Sequence, residues 1–338
     1  GTFDEVGAEA GIHVVQADGA PVGKGLALLT EDLDGDGWID VIVANDTVRN
    51  FVFRNRAGAG FEEVGESWGL AYDRNGMATG AMGIDLAEPY GDGRAAIAIG
   101  NFANEMTSLY LRQGTALQFA DEAMVSGVGP DSRRALSFGL LFADLDLDGR
   151  LDLVQANGHV EDEIQRVQAS QHYAQPAQVF WQCGSGCRRR FIAEPANQLG
   201  DLGQPSVGRG LVSADFDGDG DLDLVLTQVA GPPRVLRNDL PQRGHWIALR
   251  LSDAGAVDRA LGARLTVHTG DHTQTRSVQR TRSYLSQTDP VAHFGLGDHD
   301  VVDRVDIAWP DGTSQTLGPL QVDRLHSIHH EAMTPASR

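Results

Sequence analysis

Cysteine is nearly absent from this chain of 338 residues: there are two, Cys183 and Cys187. Two thiols supply only half of a four-ligand zinc site, so the spacing Cys-Gly-Ser-Gly-Cys argues against a structural zinc centre. It lies between the apolar runs Val179-Phe180-Trp181 and Phe191-Ile192, which reads as a disulfide across a hairpin tip and favours an oxidising compartment. No apolar run approaches the ~20 residues a membrane helix needs. Cations are also scarce, with 27 Lys and Arg against 47 Asp and Glu and a formal charge of -20. That balance excludes a general basic face for nucleic acid and adhesion to anionic lipid. Helical periodicity is missing except for a weak pattern over residues 161–174. The chain also lacks a Gly-x-Ser-x-Gly nucleophile elbow, a phosphate-cradling loop and a zinc-protease helix motif. Ser185, between the two cysteines, is a poor nucleophile.

Glycine is abundant, at 41 residues, and separates many short apolar runs, as in all-β proteins rich in turns. Among these runs a repeat stands out. Asp32-Leu33-Asp34-Gly35-Asp36-Gly37-Trp38-Ile39-Asp40, Asp144-Leu145-Asp146-Leu147-Asp148-Gly149-Arg150-Leu151-Asp152 and Asp215-Phe216-Asp217-Gly218-Asp219-Gly220-Asp221-Leu222-Asp223 share D-x-D-x-D-G-x-x-D followed by apolar residues. A damaged copy opens at Asp85 and closes through Gly91-Asp92-Gly93-Arg94, with Ala96 where the last aspartate is expected. Each loop sits between two short strands, and two more strands follow, which is the pattern of a propeller blade.

Acids at alternating positions of a tight loop turn oxygens inward, and glycine permits the positive φ such a turn needs. The carbonyls of the seventh residues, Trp38, Arg150 and Asp221, add an oxygen, and the ninth-position aspartates, Asp40, Asp152 and Asp223, close the shell. Hard oxygen ligands on a flexible loop suit calcium better than zinc or copper. The expectation is about three structural Ca2+ sites: Asp32, Asp34, Asp36 and Asp40; Asp144, Asp146, Asp148 and Asp152; and Asp215, Asp217, Asp219 and Asp223. The competing reading of any single copy is an Asp-Gly turn without metal.

These loops resemble FG-GAP or VCBS repeats of the integrin α-subunit type. Val43-Ala44-Asn45-Asp46, Asn50-Phe51-Val52-Phe53-Arg54-Asn55 and Ala156-Asn157-Gly158-His159-Val160 look like the bacterial group related to cartilage acidic protein. The C-terminal part resembles that group's ASPIC/UnbV domain through His245-Trp246-Ile247-Ala248-Leu249, Leu261-Gly262-Ala263-Arg264-Leu265-Thr266-Val267, Ser283-Tyr284-Leu285-Ser286-Gln287, His293-Phe294-Gly295-Leu296-Gly297 and Val305-Asp306-Ile307-Ala308-Trp309-Pro310-Asp311-Gly312. The resemblance implies a seven-bladed propeller, calcium in its loops and a small β-domain.

The expected organisation is all-β: a propeller segment of about four blades over residues 1–240, an antiparallel β-sandwich of six or seven strands over 241–332, and a tail, 333–338. Thr2-Phe3-Asp4-Glu5-Val6 reads like the end of a blade, since it resembles Phe61-Glu62-Glu63-Val64. Four blades would leave open edges, to be completed by upstream blades or a partner chain.

Among eleven histidines, His159 with Glu161 forms the one suspect functional loop. The expected role of His159 is structural, and no catalytic residue is assigned. The functional expectation is a non-catalytic, extracytoplasmic (periplasmic, cell-surface or secreted) calcium-binding scaffold or accessory subunit for a protein or glycan partner. The alternative is a metal-assisted hydrolase or lyase acting on sugars or phosphoesters.

Overall fold

The computed structural model describes residues 2–330 except 115–116, 185, 241–243 and 254–255. The expected tail at 333–338 and Ser185 lie outside the described residues.

The four copies of the repeat build four antiparallel sheets in chain order. The first holds Gly25–Glu31, Asp40–Asn45, Phe51–Asn55 and Phe61–Glu63. The second holds Ala81–Ala87, Ala96–Asn101, Ser108–Arg112 and Phe119–Asp121, and the third Ser137–Ala143, Asp152–Asn157, Gln178–Gln182 and Phe191–Ala193. The fourth has three strands, Gly208–Ala214, Asp223–Gln228 and Arg234–Leu236. Each sheet is a meander, and the first strands of successive sheets lie side by side, as in blades around an axis.

Burial follows from this stacking. Ser137–Ala143 and Asp152–Asn157 belong to a sheet covered on both faces, and every residue in them is buried. Gly25–Glu31 has one covered face, and its burial alternates. Separate cores fill the gaps. Leu29, Ile42, Val52, Tyr110 and Phe119 pack between the first and second sheets. Leu109, Leu140, Phe142, Phe180 and Phe191 pack between the second and third. Val154, Val179, Leu211 and Leu226 pack between the third and fourth.

The helix expected over 161–174 is reduced to one turn, Ile164–Val167. Other single turns lie at Gly7–Ala10 and, after the outer strands of the first two sheets, at Gly65–Trp68 and Ala123–Ser126, and each ends on a glycine with positive φ, Gly11, Gly69 and Gly127. An acid two residues before each turn accepts its first N–H: Glu5 from Gly7, Glu63 from Gly65 and Asp121 from Ala123.

The C-terminal domain packs a three-stranded sheet, with His245–Ser252 at its centre, against a four-stranded one around Arg264–Thr269. Phe294, Leu249, Leu265, Ile307 and Trp309 form its core. It departs from the expected all-antiparallel sandwich at one place: His245–Ser252 runs parallel to Arg324–His329, because the chain crosses from one sheet to the other before returning to the first.

A segment of this domain, Thr281–Gln287, reaches into the stacked sheets. Ser283 bridges to Ile84 and its Oγ accepts the Leu140 N–H at 3.0 Å. The Tyr284 ring meets Phe138 edge-on at 5.0 Å. Arg282 Nε donates to Asp85 Oδ1 at 2.8 Å, while its Nη2 reaches Asp85 Oδ2 and the Phe142 carbonyl. The Asp85 side chain is fully buried. Removing one partner of such a pair strands a charge, which costs about 3–5 kcal/mol. Arg282→Ala is therefore expected to lower the urea midpoint by that equivalent, with Asp85→Leu/Arg282→Met recovering part of the loss; an unchanged midpoint in Arg282→Ala contradicts the role of this pair in holding the two halves together.

Candidate metal centres beneath the domain interface

In each sheet the Asp-rich loop turns the first strand into the second. The opening aspartate winds the loop by accepting backbone N–H groups. Asp32 Oδ1 takes Gly35 and Asp36 (2.8 and 3.1 Å), and its Oδ2 takes Gly37 (2.8 Å). Asp215 takes Gly218 and Gly220 (2.7 and 3.1 Å), and Asp144 takes Gly149 (2.9 Å). The fifth-position acids Asp36 and Asp148 accept the N–H of Trp38 and Arg150, both at 2.9 Å.

The ninth-position aspartate does a job the pattern did not announce. One oxygen of Asp40, Asp152 and Asp223 accepts the N–H of the loop's second residue, Leu33, Leu145 and Phe216. The other accepts an N–H from the third strand, at Asn55 and Gln182, or from two residues beyond it, at Asn238. This acid ties loop to sheet in all three intact copies.

Three carboxylate groups converge: Asp32, Asp34 and Asp36; Asp144, Asp146 and Asp148; Asp215, Asp217 and Asp223, each set with oxygens within 4.8 Å of one another. Asp40, Asp152 and Asp219 fall outside these groups. Arg54 reaches Asp34 at 2.6 Å, and Arg150 pairs with Asp148. The residues fit a hard cation. Buried Asp144 Oδ1 has no hydrogen-bond partner, and burial pushes the Asp144 carboxyl up to about 7. An anionic oxygen that no donor satisfies is costly unless something positive is bound to it.

The damaged copy supplies an internal comparison, and the structure corrects its alignment. Asp85 is paired with Ala98 inside the strands, ahead of the loop. The pairing Ala87↔Ala96 matches Glu31↔Asp40, Ala143↔Asp152 and Ala214↔Asp223, so the opening position is Glu88, midway between Asp32 and Asp144. The copy then reads Glu88-Pro89-Tyr90-Gly91-Asp92-Gly93-Arg94-Ala95-Ala96 without a gap. Its changes are mutually consistent. Pro89 has no N–H to offer at the second position, so the acid that would accept it is dispensable and Ala96 replaces it. Arg112, the counterpart of Asn55, donates its N–H to the Ala95 carbonyl instead. Each remaining acid has an arginine: Glu88 pairs with Arg264 of the C-terminal domain and Asp92 with Arg94. Arg94 and Arg190 also lie over the Tyr90 ring.

The C-terminal domain covers the loops of the third and fourth sheets. Gly295 N donates to Asp144 Oδ2 at 3.1 Å and Gly297 N to the Leu147 carbonyl at 2.8 Å. Leu147 holds φ 60° where the other copies have Gly35, Gly91 and Gly218; the buried Leu147 side chain and its bonded carbonyl offset that strain. Approach is so close that a Cβ on Gly295 would stand 2.2 Å from Asp144 Oδ2. Over the fourth sheet, His293 stacks on Trp246 and its Nε2 meets the Gly220 carbonyl at 2.7 Å. A cavity of about 190 Å³ remains between the halves, lined by Arg250, Arg276, Arg282, His293 and Asp144 among others. Of these residues Asp144 is expected as a ligand, and Trp246, His293, Gly295 and Gly297 lie within the motifs of the resemblance; Arg250, Arg276 and Arg282 carry no signal in the sequence.

His159 is buried against Phe102, with ring centres 5.5 Å apart, and its Nδ1 accepts the Glu161 N–H at 3.0 Å. Its backbone is held by Tyr173 and Arg209. The exposed Glu161 side chain accepts the Glu163 N–H. The imidazole thus anchors the loop. Cys183 and Cys187 are bonded at the tip joining Gln178–Gln182 to Phe191–Ala193, and a loop so short adds little global stability.

Residues 255–335 match the family described as ASPIC and UnbV. The C-terminal domain is an ASPIC/UnbV domain. Along most of its length the chain is similar to cartilage acidic protein 1: 30% identical to the Xenopus tropicalis protein over 81% of this chain and 40% of that one, and 29% identical to the human protein over 91% and 43%. The chain therefore spans about two fifths of the length of these relatives. Among solved structures, an exotype rhamnogalacturonan lyase aligns over 91% of this chain and 67% of its own at 14% identity with a TM-score of 0.35, too low to argue from. Among the described residues no helix is long and apolar enough to cross a membrane.

The ASPIC/UnbV domain carries a pH-dependent contact. Burial lowers the His293 pKa from 6.5 to about 4. The folded state therefore prefers neutral imidazole, and the unfolded chain takes up a proton at higher pH. This stability is present above pH 6.5 and is lost as pH falls towards 4. Urea midpoints between pH 7 and 4 should fall less steeply for His293→Gln than for the parent; parallel profiles contradict the assignment.

Proposed function

We propose that this chain is a calcium-stabilised, non-catalytic scaffold of FG-GAP/VCBS type that works outside the cytoplasm and engages a protein or glycan partner. The observation that carries this reading is the contrast among the four loops. Three gather carboxylates, one with a buried oxygen that no donor satisfies, while in the fourth each remaining acid pairs with an arginine. Arg54 and Arg150 offset only part of the charge in two of the three carboxylate groups, and a divalent cation supplies the rest, as arginine does at Glu88 and Asp92.

The ions would be held by Asp32, Asp34 and Asp36 with the Trp38 carbonyl, by Asp144, Asp146 and Asp148 with that of Arg150, and by Asp215, Asp217 and Asp223 with that of Asp221. Calcium suits such flexible oxygen donors, and extracellular modules bind it at roughly 0.1–1 mM. The disulfide supports an oxidising compartment. Each ion would fix a strand-to-strand turn, and the second and third would fix the floor on which the ASPIC/UnbV domain sits. His159, held against Phe102 and the Glu161 backbone, supports a structural role over catalysis.

The test is a native pull-down at millimolar calcium, repeated with chelator and read by mass spectrometry, beside thermal melts under the same conditions. The expected result is a stoichiometric partner that leaves on chelation, with a lower melting temperature. Turnover of a sugar or phosphoester substrate that disappears in His159→Ala/Glu161→Ala would overturn the non-catalytic reading.

A further inference from the structure

Four arginines line the cavity between the stacked sheets and the ASPIC/UnbV domain: Arg250, Arg264, Arg276 and Arg282. Three are matched by acids. Arg264 pairs with Glu88, Arg282 with Asp85 and Arg250 with Asp289. Arg276 finds only neutral acceptors. Its Nη1 donates to the Thr275 carbonyl at 2.9 Å and its Nη2 to Gln274 Oε1 at 3.1 Å. A guanidinium has five N–H donors, and the Arg276 Nε has no acceptor. Burial lowers the Arg276 pKa to about 10, with Asp144 opposing the shift, so the group stays cationic at neutral pH. A cation withdrawn from water without a counter-charge is costly.

Two acids remain on the wall, Asp144 and Asp215, and both belong to the carboxylate groups assigned above to bound cations. On that reading the wall keeps no charge to balance Arg276. The Arg250 Nε also lacks an acceptor, although its Nη2 reaches Asp289 Oδ2 at 3.0 Å. Both unmet N–H groups lie beneath the cavity surface, and small turns of two long side chains bring them to it.

His293 adds a demand of the opposite kind. Its Nε2 meets the Gly220 carbonyl at 2.7 Å. A carbonyl only accepts, so Nε2 carries the proton and the neutral ring presents a lone pair at Nδ1. That Nδ1 is buried and has no partner. The cavity therefore suits a ligand with one negative charge for the arginines and a hydroxyl donor for His293. Phe142, Leu222 and Val291 line the same space and leave room for a carbon skeleton. A volume of about 190 Å³ is below the roughly 300–1,000 Å³ of drug-sized pockets, so the occupant is small. The side chains of Arg250 and Asp289 are 43% and 46% exposed, which opens the cavity to solvent on their side.

We propose that this cavity binds a hydroxy-carboxylate of monosaccharide size, a sugar acid, free or at the end of an acidic glycan. Its carboxylate accepts from Arg276 and Arg250, and one of its hydroxyls donates to His293 Nδ1. One carboxylate cancels one guanidinium, whereas a phosphate dianion exceeds the charge the wall has to offer. The charge count rests on the cation reading of Asp144 and Asp215.

The experiment is calorimetric titration of the full chain in millimolar calcium with glucuronate, with calcium counted in the same sample. The expected result is one glucuronate per chain, no saturable binding of glucose, and acetate weaker by at least about tenfold for want of a hydroxyl. Arg276→Met should weaken glucuronate binding at least about tenfold without lowering the urea midpoint, because it removes an unmatched buried cation. Arg250→Leu should weaken it too and breaks only a half-exposed pair of little worth to the fold. A trisaccharide ending in glucuronate that binds as tightly as the monomer assigns the end of a glycan; binding of the monomer alone assigns a free acid. A calcium-loaded chain that binds no glucuronate overturns the site and leaves the cation reading intact. A chain without calcium whose glucuronate binding is lost in Arg276→Met overturns the cation reading and leaves the site. Glucose or acetate bound as tightly as glucuronate, or binding that Arg276→Met and Arg250→Leu both leave unchanged, also overturns the proposal.

Discussion

Nine residues turn the first strand of each sheet into the second, and the backbone N–H groups crowded into that turn must find acceptors. In three sheets aspartates supply them: the opening acid winds the loop, the ninth fastens it to the third strand. The same acids then carry more negative charge than a tight loop tolerates alone. The second sheet answers this constraint differently. Proline removes one donor, alanine removes its acceptor, and arginines pair with the acids that remain. On the proposed reading, a cation in three loops and arginine alone in the second sheet's loop answer one electrostatic problem.

The placement of the ASPIC/UnbV domain depends on those turns. Its glycines approach the third loop because a side chain there would collide with Asp144 and Leu147. Its Arg264 answers Glu88 in the second loop, and its Trp246 and His293 sit over Gly220 in the fourth. Arg282 passes between the loops to a fully buried aspartate. The domain reads the same strand-to-strand turn in three neighbouring sheets, which accounts for the scatter of its contact residues along the sequence.

The repeat made much of this legible. D-x-D-x-D-G-x-x-D located the turns, and the apolar runs around them located the strands, because both signals are local. What stayed hidden is non-local or cooperative. Glu88 was displaced to Asp85 because a search for aspartate finds the wrong acid; only the strand register shows that Ala96 closes that loop. The single-turn helices after the outer strands are too short for apolar periodicity, and their signal is the acid-x-Gly/Ala pairing with a glycine four residues on, as in Glu63, Gly65 and Gly69. The parallel pairing of His245–Ser252 with Arg324–His329 joins the two ends of its domain, which alternation along either strand does not reveal. The ninth aspartate fits a ligand by type, and Asp223 does join a converging group; the two backbone N–H groups that each ninth aspartate accepts emerge only when the third strand is in place.

The central claim is that three loops hold a divalent cation and that the Glu88 loop, supplied with arginines, holds none. Counting calcium on the full chain, stripped with chelator and dialysed back to millimolar free calcium, tests it most directly. The account predicts three ions per chain, a lower count for Asp34→Asn and an unchanged count for Glu88→Gln. A chain that retains no calcium at that concentration, or a count that falls with Glu88→Gln and not with Asp34→Asn, contradicts it.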